Sequence, residues 1–309
     1  MDRLAAMQQF VRVAELGSFS AAAQQLSLAR SIVTRQIAAL ESHLGTQLIA
    51  RSTRRLSLTT AGADYLEKCR VILNLVDAAE SGVAAERHAP RGLIRMSVPL
   101  SYGRRYLSPH LLDFARLYPE VSLDIDYIDR RSRLIAEGID LAIRITSRLE
   151  AGDITRRISA SRMLVVASPQ YLARHGEPQH PQELAHHECL AYTGASNPSH
   201  WEFLIDGRPH SVAVQTRLQA NNGDALIDAA AAGFGLCLTP EFMAADALAS
   251  GALRQTLTGF TVAAVGIYLV LPSNRHVPHR VRVLMDYLAS RLGPEPPWQR
   301  ASVPAVGAA

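Results

Sequence analysis

Residues 28–45 read LARSIVTRQIAALESHLG. Val33, Ile37, Leu40 and Leu44 recur at steps of four, three and four, one stripe of a 3.6-residue period, so the stretch predicts an amphipathic helix closed by Gly45. Its other face is small, polar and positive: Arg30, Ser31, Thr34 and Arg35 crowd the first turns, with Ala38 and Ser42 beyond them. Ala29 stands where a helix cap is expected. An Ala there costs on the order of 1 kcal/mol against Ser, Thr, Asp or Asn. Ser27 and Ser31 are the nearby hydroxyls able to compensate.

Upstream, Leu4, Met7, Val11 and Ala14 make a helical stripe stopped by Gly17, and Ser18 caps a second short helix, FSAAAQQL. Its Ala21, Ala22 and Ala23 let a neighbouring helix approach closely. The turn SLA joins it to the third helix. Downstream, QLIARSTRRLSLT alternates Leu48, Leu56 and Leu58 with polar residues around RSTRR, which predicts a hairpin with a basic tip. Three short helices, a tight turn and a basic hairpin predict a winged helix-turn-helix over 1–58. In that fold the second helix of the motif enters the major groove and the wing rides on the backbone.

Over 59–88 the residues Tyr65, Cys69, Ile72, Val76, Ala79 and Val83 step by four and three, a heptad seam opposite a charged face of Glu67, Lys68, Arg70 and Asp77. The spacing predicts a linker helix that dimerises. RHAPRG (87–92) breaks it. From 89 to 293 strand-like segments (LIRMSVP, VSLDIDYI, IDLAIRI, MLVVASP, ECLAYT, LCLTP, GIYLVLPS) alternate with helical ones, including a kink or restart at Ser108-Pro109 and a short helix at RSRLIAEG. Alternation of this kind predicts parallel sheets covered by helices, here two small α/β lobes around a cleft. The Pro- and Ala-rich tail, 294–309, reads as disordered.

Composition narrows the function. Hydrophobic residues are 48% and charged residues 19%, a core-forming balance. No apolar run reaches the roughly 18 residues of a membrane span. The N-terminus lacks the apolar core of a signal peptide, so a cytoplasmic protein is expected. Three scattered cysteines exclude a disulfide framework and a paired zinc motif. HHEC (186–189) reads as a loop entering a strand. Residues 1–60 hold seven arginines against three carboxylates, an excess equal to the whole formal charge of +4. That end is the one to meet a polyanion. An α/β enzyme is the alternative, but GxSxG, a P-loop and HExxH are all missing, and GFG (233–235) reads as a tight turn rather than a dinucleotide fingerprint. The enzyme would also leave the basic head unexplained, and a passive small-molecule-binding protein would need export, for which no signal peptide is seen. No cofactor or metal is expected.

FVRVAELGSFSAAAQQL, VTRQIAALESHLGTQLIARSTRRLSLTTAG, FARLYPEVSLDIDY, LIAEGIDLAIRI, WEFLIDG and AAAAGFGLCLTPEF resemble, in order and spacing, the LysR-type transcriptional regulators from Met1 to about Leu292, nearest their CrgA-like branch. The resemblance implies a multidomain α+β protein. Its parts are a winged helix-turn-helix, a linker helix, and a two-lobed effector domain like periplasmic binding proteins, with lobe I at 92–163 and 268–293 and lobe II at 164–267. It also implies a double-stranded DNA operator, a small-molecule effector (an organic acid or aromatic compound), self-association as a dimer and then a tetramer, and no membrane partner.

On the head, Arg30, Ser31, Thr34 and Arg35 are expected at base edges, where Arg grips guanine O6 and N7, with Gln36 beside them. Arg51, Arg54 and Arg55 on the wing and Ser18 and Ser20 on the second helix are expected at phosphates. The Gln-Pro pair usual after the family's capping Ser is here Arg30-Ser31, which implies a different base preference. In the effector domain Ser101 opens a helix after a strand, where its hydroxyl and the next amides suit a carboxylate. By family position Leu100, Ser101, Tyr102, Thr146, Thr193 and Asn222 are the expected pocket, and Arg144 an internal ion-pair partner of Asp140.

Overall fold

The structure is a computed structural model; it describes residues 1–50, 56–84, 89–149, 154–272, 277–293 and Trp298, with the side chains of 74, 77–78 and 80–84 outside that set. The head opens with α1 (Arg3–Leu16), capped by the Asp2 carboxylate and ended by Gly17 at φ 60°. Ser18 then caps α2 (Phe19–Gln25) by accepting the Ala21 N–H. α3 (Arg30–Leu44) follows after a turn in which Ser27 takes φ 55°, a left-handed conformation uncommon outside glycine. Ala29 makes no side-chain cap hydrogen bond. Gly45 at φ 69° closes the helix, with Thr46 N–H on Glu41 O and Gly45 N–H on Ser42 O, a Schellman motif.

The predicted stripe is the buried one. Val33, Ile37 and Leu40 are at most 2% exposed and pack with Ala6, Phe10, Val13, Ala22 and Leu48. Such burial contributes about 1.5–3 kcal/mol per large side chain. The wing is β1 (Ile49–Ala50) antiparallel to β2 (Ser57–Leu58). Glu41 ties it to α3, its Oε1 accepting the N–H groups of Leu48 (2.8 Å) and Ile49 (3.1 Å). The expected wing residues Arg51, Arg54 and Arg55 lie outside the described residues.

α4 (Thr60–Ala84) leaves the wing so closely that a Cβ on Gly62 would meet Leu48 O at 1.9 Å. The heptad seam divides here. Cys69 is fully buried in the head core and Tyr65 packs on Phe10 with ring centroids 5.8 Å apart. These two are therefore corrected from dimer contacts to head contacts, because the first turns of α4 cover the three-helix core. Further along, Val71, Ile72 and Leu75 are 36–44% exposed, Ala79 is exposed and Val76 half-buried. The side chain of Val83 lies outside the described set.

The C-terminal domain begins with β3 (Gly92–Val98), then α5 (Leu100–Tyr102), a π-helical turn (Gly103–Leu107), α6 (Ser108–Leu117), β4 (Val121–Tyr127), β5 (Leu141–Thr146) and β6 (Ile154–Ser161). The predicted kink at Ser108-Pro109 is this π turn, and the predicted helix at RSRLIAEG is only turns. After Arg162 the chain enters a second sheet with β7 (Met163–Ala167), α7 (Pro169–His175) and β8 (Glu188–Tyr192). A side hairpin follows, β9 (His200–Ile205) and β10 (Arg208–Ala213), then β11 (Gln215–Ala220), α8 (Gly223–Ala231), β12 (Leu236–Pro240), α9 (Glu241–Ala249) and β13 (Arg254–Thr256). β14 (Thr261–Val262) joins the hairpin, and β15 (Val265–Leu271) and α10 (His279–Arg291) return to the first lobe.

The sheet orders are β4-β3-β5-β15-β6 in lobe I and β11-β8-β12-β7-β13 in lobe II, with β10-β9-β14 appended. β3 pairs in parallel with β4 and β5, whereas β15 is antiparallel to β5 and β6, so the sheets are mixed rather than all parallel. The return strand begins at Val265, three residues before the expected 268. Trp298, placed in a disordered tail by its composition, is 3% exposed within the main core.

Candidate nucleic-acid interface and interlobe cleft

Because the α3 stripe is turned inward, the helix must present its other side. Arg30, Ser31, Thr34 and Arg35 are exposed, and Gln36 is half-buried at the edge. The Thr34 hydroxyl donates to Arg30 O at 2.9 Å, which leaves its methyl and an acceptor lone pair for a base edge. Ser18 is half-buried in its capping role and Ser20 is exposed in the first turn of α2. A helix bearing two exposed guanidinium groups, held by a tight turn over a second helix, has the shape and charge to enter a major groove.

The second candidate site lies between the lobes. Leu100 N–H, which opens α5 of lobe I, donates to Asp129 Oδ1 at 2.9 Å. The other oxygen of Asp129 accepts the Asn222 amide of lobe II at 3.2 Å, while Asn222 Oδ1 caps α8 through Ala225 N–H at 2.9 Å. Ser101, 5% exposed, donates its hydroxyl to Asp224 Oδ2 at 2.7 Å. Leu100, Ser101 and Asn222 are thus brought together. Tyr102 is displaced from the cleft surface: it is fully buried, its ring 5.5 Å from Phe242 of lobe II. Burial pushes its phenol well above the usual tyrosine range. Thr146 instead closes its own turn through Arg148, and Thr193 is an exposed residue whose N–H binds Ala220 O. Arg144 donates to Ser132 O at 3.2 Å.

The π turn aims two more residues across the gap. Arg105 reaches Met243 O (3.3 Å), Asp224 (3.5 Å) and Asp246 (3.4 Å), and Tyr106 donates to Phe242 O at 3.0 Å. A π turn at such a place is a common mark of function. Trp298 packs edge-on to Tyr106, with ring centroids 4.8 Å apart, and tilted to Phe242, at 5.6 Å. At the chain crossing, Glu241 is 3% exposed and binds Arg162, whose carbonyl accepts the Glu241 N–H. Asp129, Asp224, Arg105 and Tyr106 carry no sequence motif. Only the position of Asp129 just beyond strand β4 marks it as a cleft residue.

Among the described residues no three His, Cys, Asp or Glu side chains form a metal-capable group, and no helix is long and apolar enough to cross a membrane. Cys189 and Cys237 sit on adjacent strands one register apart and pack in different core clusters.

Residues 4–63 match the model of the bacterial regulatory helix-turn-helix protein, lysR family, and residues 87–293 that of the LysR substrate binding domain. An HTH-type transcriptional regulator of Xanthomonas campestris pv. campestris is 38% identical over 300 residues, covering 96% of this chain and 87% of the relative. The structure of CrgA, a LysR-type transcriptional regulator from Neisseria meningitidis, is similar with a TM-score of 0.59 at 32% identity, covering 94% of this chain and 98% of that one. The full-length Vibrio cholerae virulence activator AphB gives 0.57 at 27% identity, covering 93% and 98%.

Proposed function

Because the chain belongs to the LysR family of bacterial helix-turn-helix regulators, we propose that it reads its operator through Arg30, Ser31, Thr34 and Arg35 and takes a small molecule between its two α/β lobes. It is a DNA-binding transcriptional regulator with an effector-binding domain. Ser18, Ser20 and the wing arginines Arg51, Arg54 and Arg55 hold phosphates, and Gln36 adds an edge contact. The exposed apolar stripe of α4 around Ile72 pairs two copies, so the operator has two-fold symmetry; a tetramer is two such pairs. The protein works in the cytoplasm and catalyses no reaction. An effector that binds one interlobe arrangement better than another shifts the population of arrangements, and the paired heads feel that shift.

The observation that carries this reading is the exposed Arg/Ser/Thr face of α3 over a fully buried apolar stripe. The test uses DNA selected from a random pool by the purified protein, followed by binding of wild type and Arg35→Ala. Loss of a bidentate guanine contact lowers affinity roughly tenfold or more and relaxes preference at one base pair in each half-site. Unchanged affinity and unchanged preference would remove Arg35 from the reading set.

A further inference from the structure

Two of the chain's own carboxylates hold the polar positions that an acidic ligand would need. We infer that Asp129 and Asp224 set the charge class of the effector, and that the interlobe cleft takes a compound bearing an amine or guanidine rather than a carboxylate. The inference rests on the cleft being the effector site.

The donors come first. The Leu100 N–H is held by Asp129, and so is the Asn222 amide from the opposite lobe. The Ser101 hydroxyl is held by Asp224. A carboxylate entering here must displace Asp129 from both partners and then lie beside two like charges, an arrangement that works against binding.

The acceptors are underused. Asp129 receives uncharged donors, one from the backbone and one from an amide. Asp224 Oδ1 is shielded from solvent and accepts no hydrogen bond. Its cation, Arg105, stands 3.5 Å away and is shared with Asp246 and the Met243 carbonyl. A shielded carboxylate oxygen whose cation stands at 3.5 Å and is shared with other acceptors, beside a second carboxylate that accepts a backbone N–H and an amide, suits further charged N–H donors.

Benzylamine and benzoate share a ring and carry opposite charges. Thermal shift of the full-length protein with each compound is measured for wild type, Asp129→Asn and Asp224→Asn, with circular dichroism to confirm folding. Benzylamine is expected to stabilise wild type and benzoate not; each variant loses roughly tenfold in apparent benzylamine affinity. In Asp129→Asn benzoate gains, because Leu100 N–H and Ser101 then face one fewer negative charge. Benzoate equal to or better than benzylamine in wild type overturns the inference, as does a wild-type preference kept in both variants or a flat wild-type response to benzylamine. Binding to the selected DNA is followed in parallel. Failure there sinks the regulator reading and leaves the charge preference standing, whereas normal DNA binding with a benzoate preference sinks only the charge assignment.

Discussion

The carboxylate of Glu15, at the end of the first head helix, is gripped by the guanidinium of Arg95 in the first strand of the effector domain. The same carboxylate meets Arg70 of the linker helix at 3.5 Å and Arg12 at 3.0 Å. Arg70 also packs on the backbone at Gly138, where a Cβ would meet its Cδ at 2.9 Å. One acidic side chain, 11% exposed, therefore joins three parts of the molecule. Burial and the neighbouring Arg95 push the Arg70 guanidinium down from its usual range, and Glu15 opposes both effects.

Removing that carboxylate leaves Arg70 and Arg95 facing each other in a half-dry site. Glu15→Gln is expected to destabilise the protein by about 1–3 kcal/mol, with much of the loss recovered when Arg95→Gln is added. A double-mutant cycle in urea measures this. A coupling near zero would mean that the head and lobe I do not hold each other through this pair in solution.

The turn before α3 offers a cheaper change. Ala29 has the extended backbone of a cap, φ −70° and ψ 140°, but no side-chain acceptor. Ala29→Ser supplies one and is expected to raise stability by about 1 kcal/mol, a few degrees in melting temperature. A neutral or negative effect would mean that water already satisfies the first N–H groups of α3.

This local chemistry was legible because head and turn are written in short-range signals: Ser18, Gly17, Gly45 and the Val33–Ile37–Leu40 stripe each act within a few residues. The linker seam misled for a related reason. Heptad spacing records which side of a helix is apolar, not whether the partner is another chain or the same one, and Tyr65 and Cys69 face their own head. The cleft was half legible. Ser101 follows from its place after a strand, and Leu100 and Asn222 from the family resemblance, but Asp129 and Asp224 meet them only across long sequence separations. Trp298 was lost because composition describes a segment and says nothing of one anchored ring.

The histidines of lobe II predict an acid-sensitive stability. The Tyr171 hydroxyl accepts the Glu188 N–H at 3.0 Å and shares a hydrogen bond with the buried His187 Nδ1 at 3.2 Å. Burial, reinforced by His175, lowers the His187 pKa from its ordinary 6.5. A lowered folded-state value means that the stabilisation is complete above pH 6.5 and is lost as pH falls through the folded value. Melting temperature should therefore drop between neutral pH and pH 5 in wild type and drop less in His187→Gln. Identical pH profiles would assign the acid sensitivity elsewhere.

The chain contains two tryptophans, Trp201 in the lobe II hairpin and Trp298 at the lobe junction. A Trp201→Phe variant therefore reports on Trp298 alone. Its ring is enclosed by Tyr102 and Tyr106 of lobe I and by Phe242 of lobe II, so its emission should be blue-shifted and shielded from iodide. Trp298→Ala removes that packing and is expected to cost about 3–5 kcal/mol, seen as a lower urea midpoint for the effector domain. Because the two lobes supply opposite walls of the enclosure, a compound that separates them must expose the ring. Red-shifted, iodide-accessible emission from the unliganded variant would show that Trp298 does not hold the lobes together; emission that reddens only when a ligand enters the cleft would mark it as a direct reporter of lobe movement.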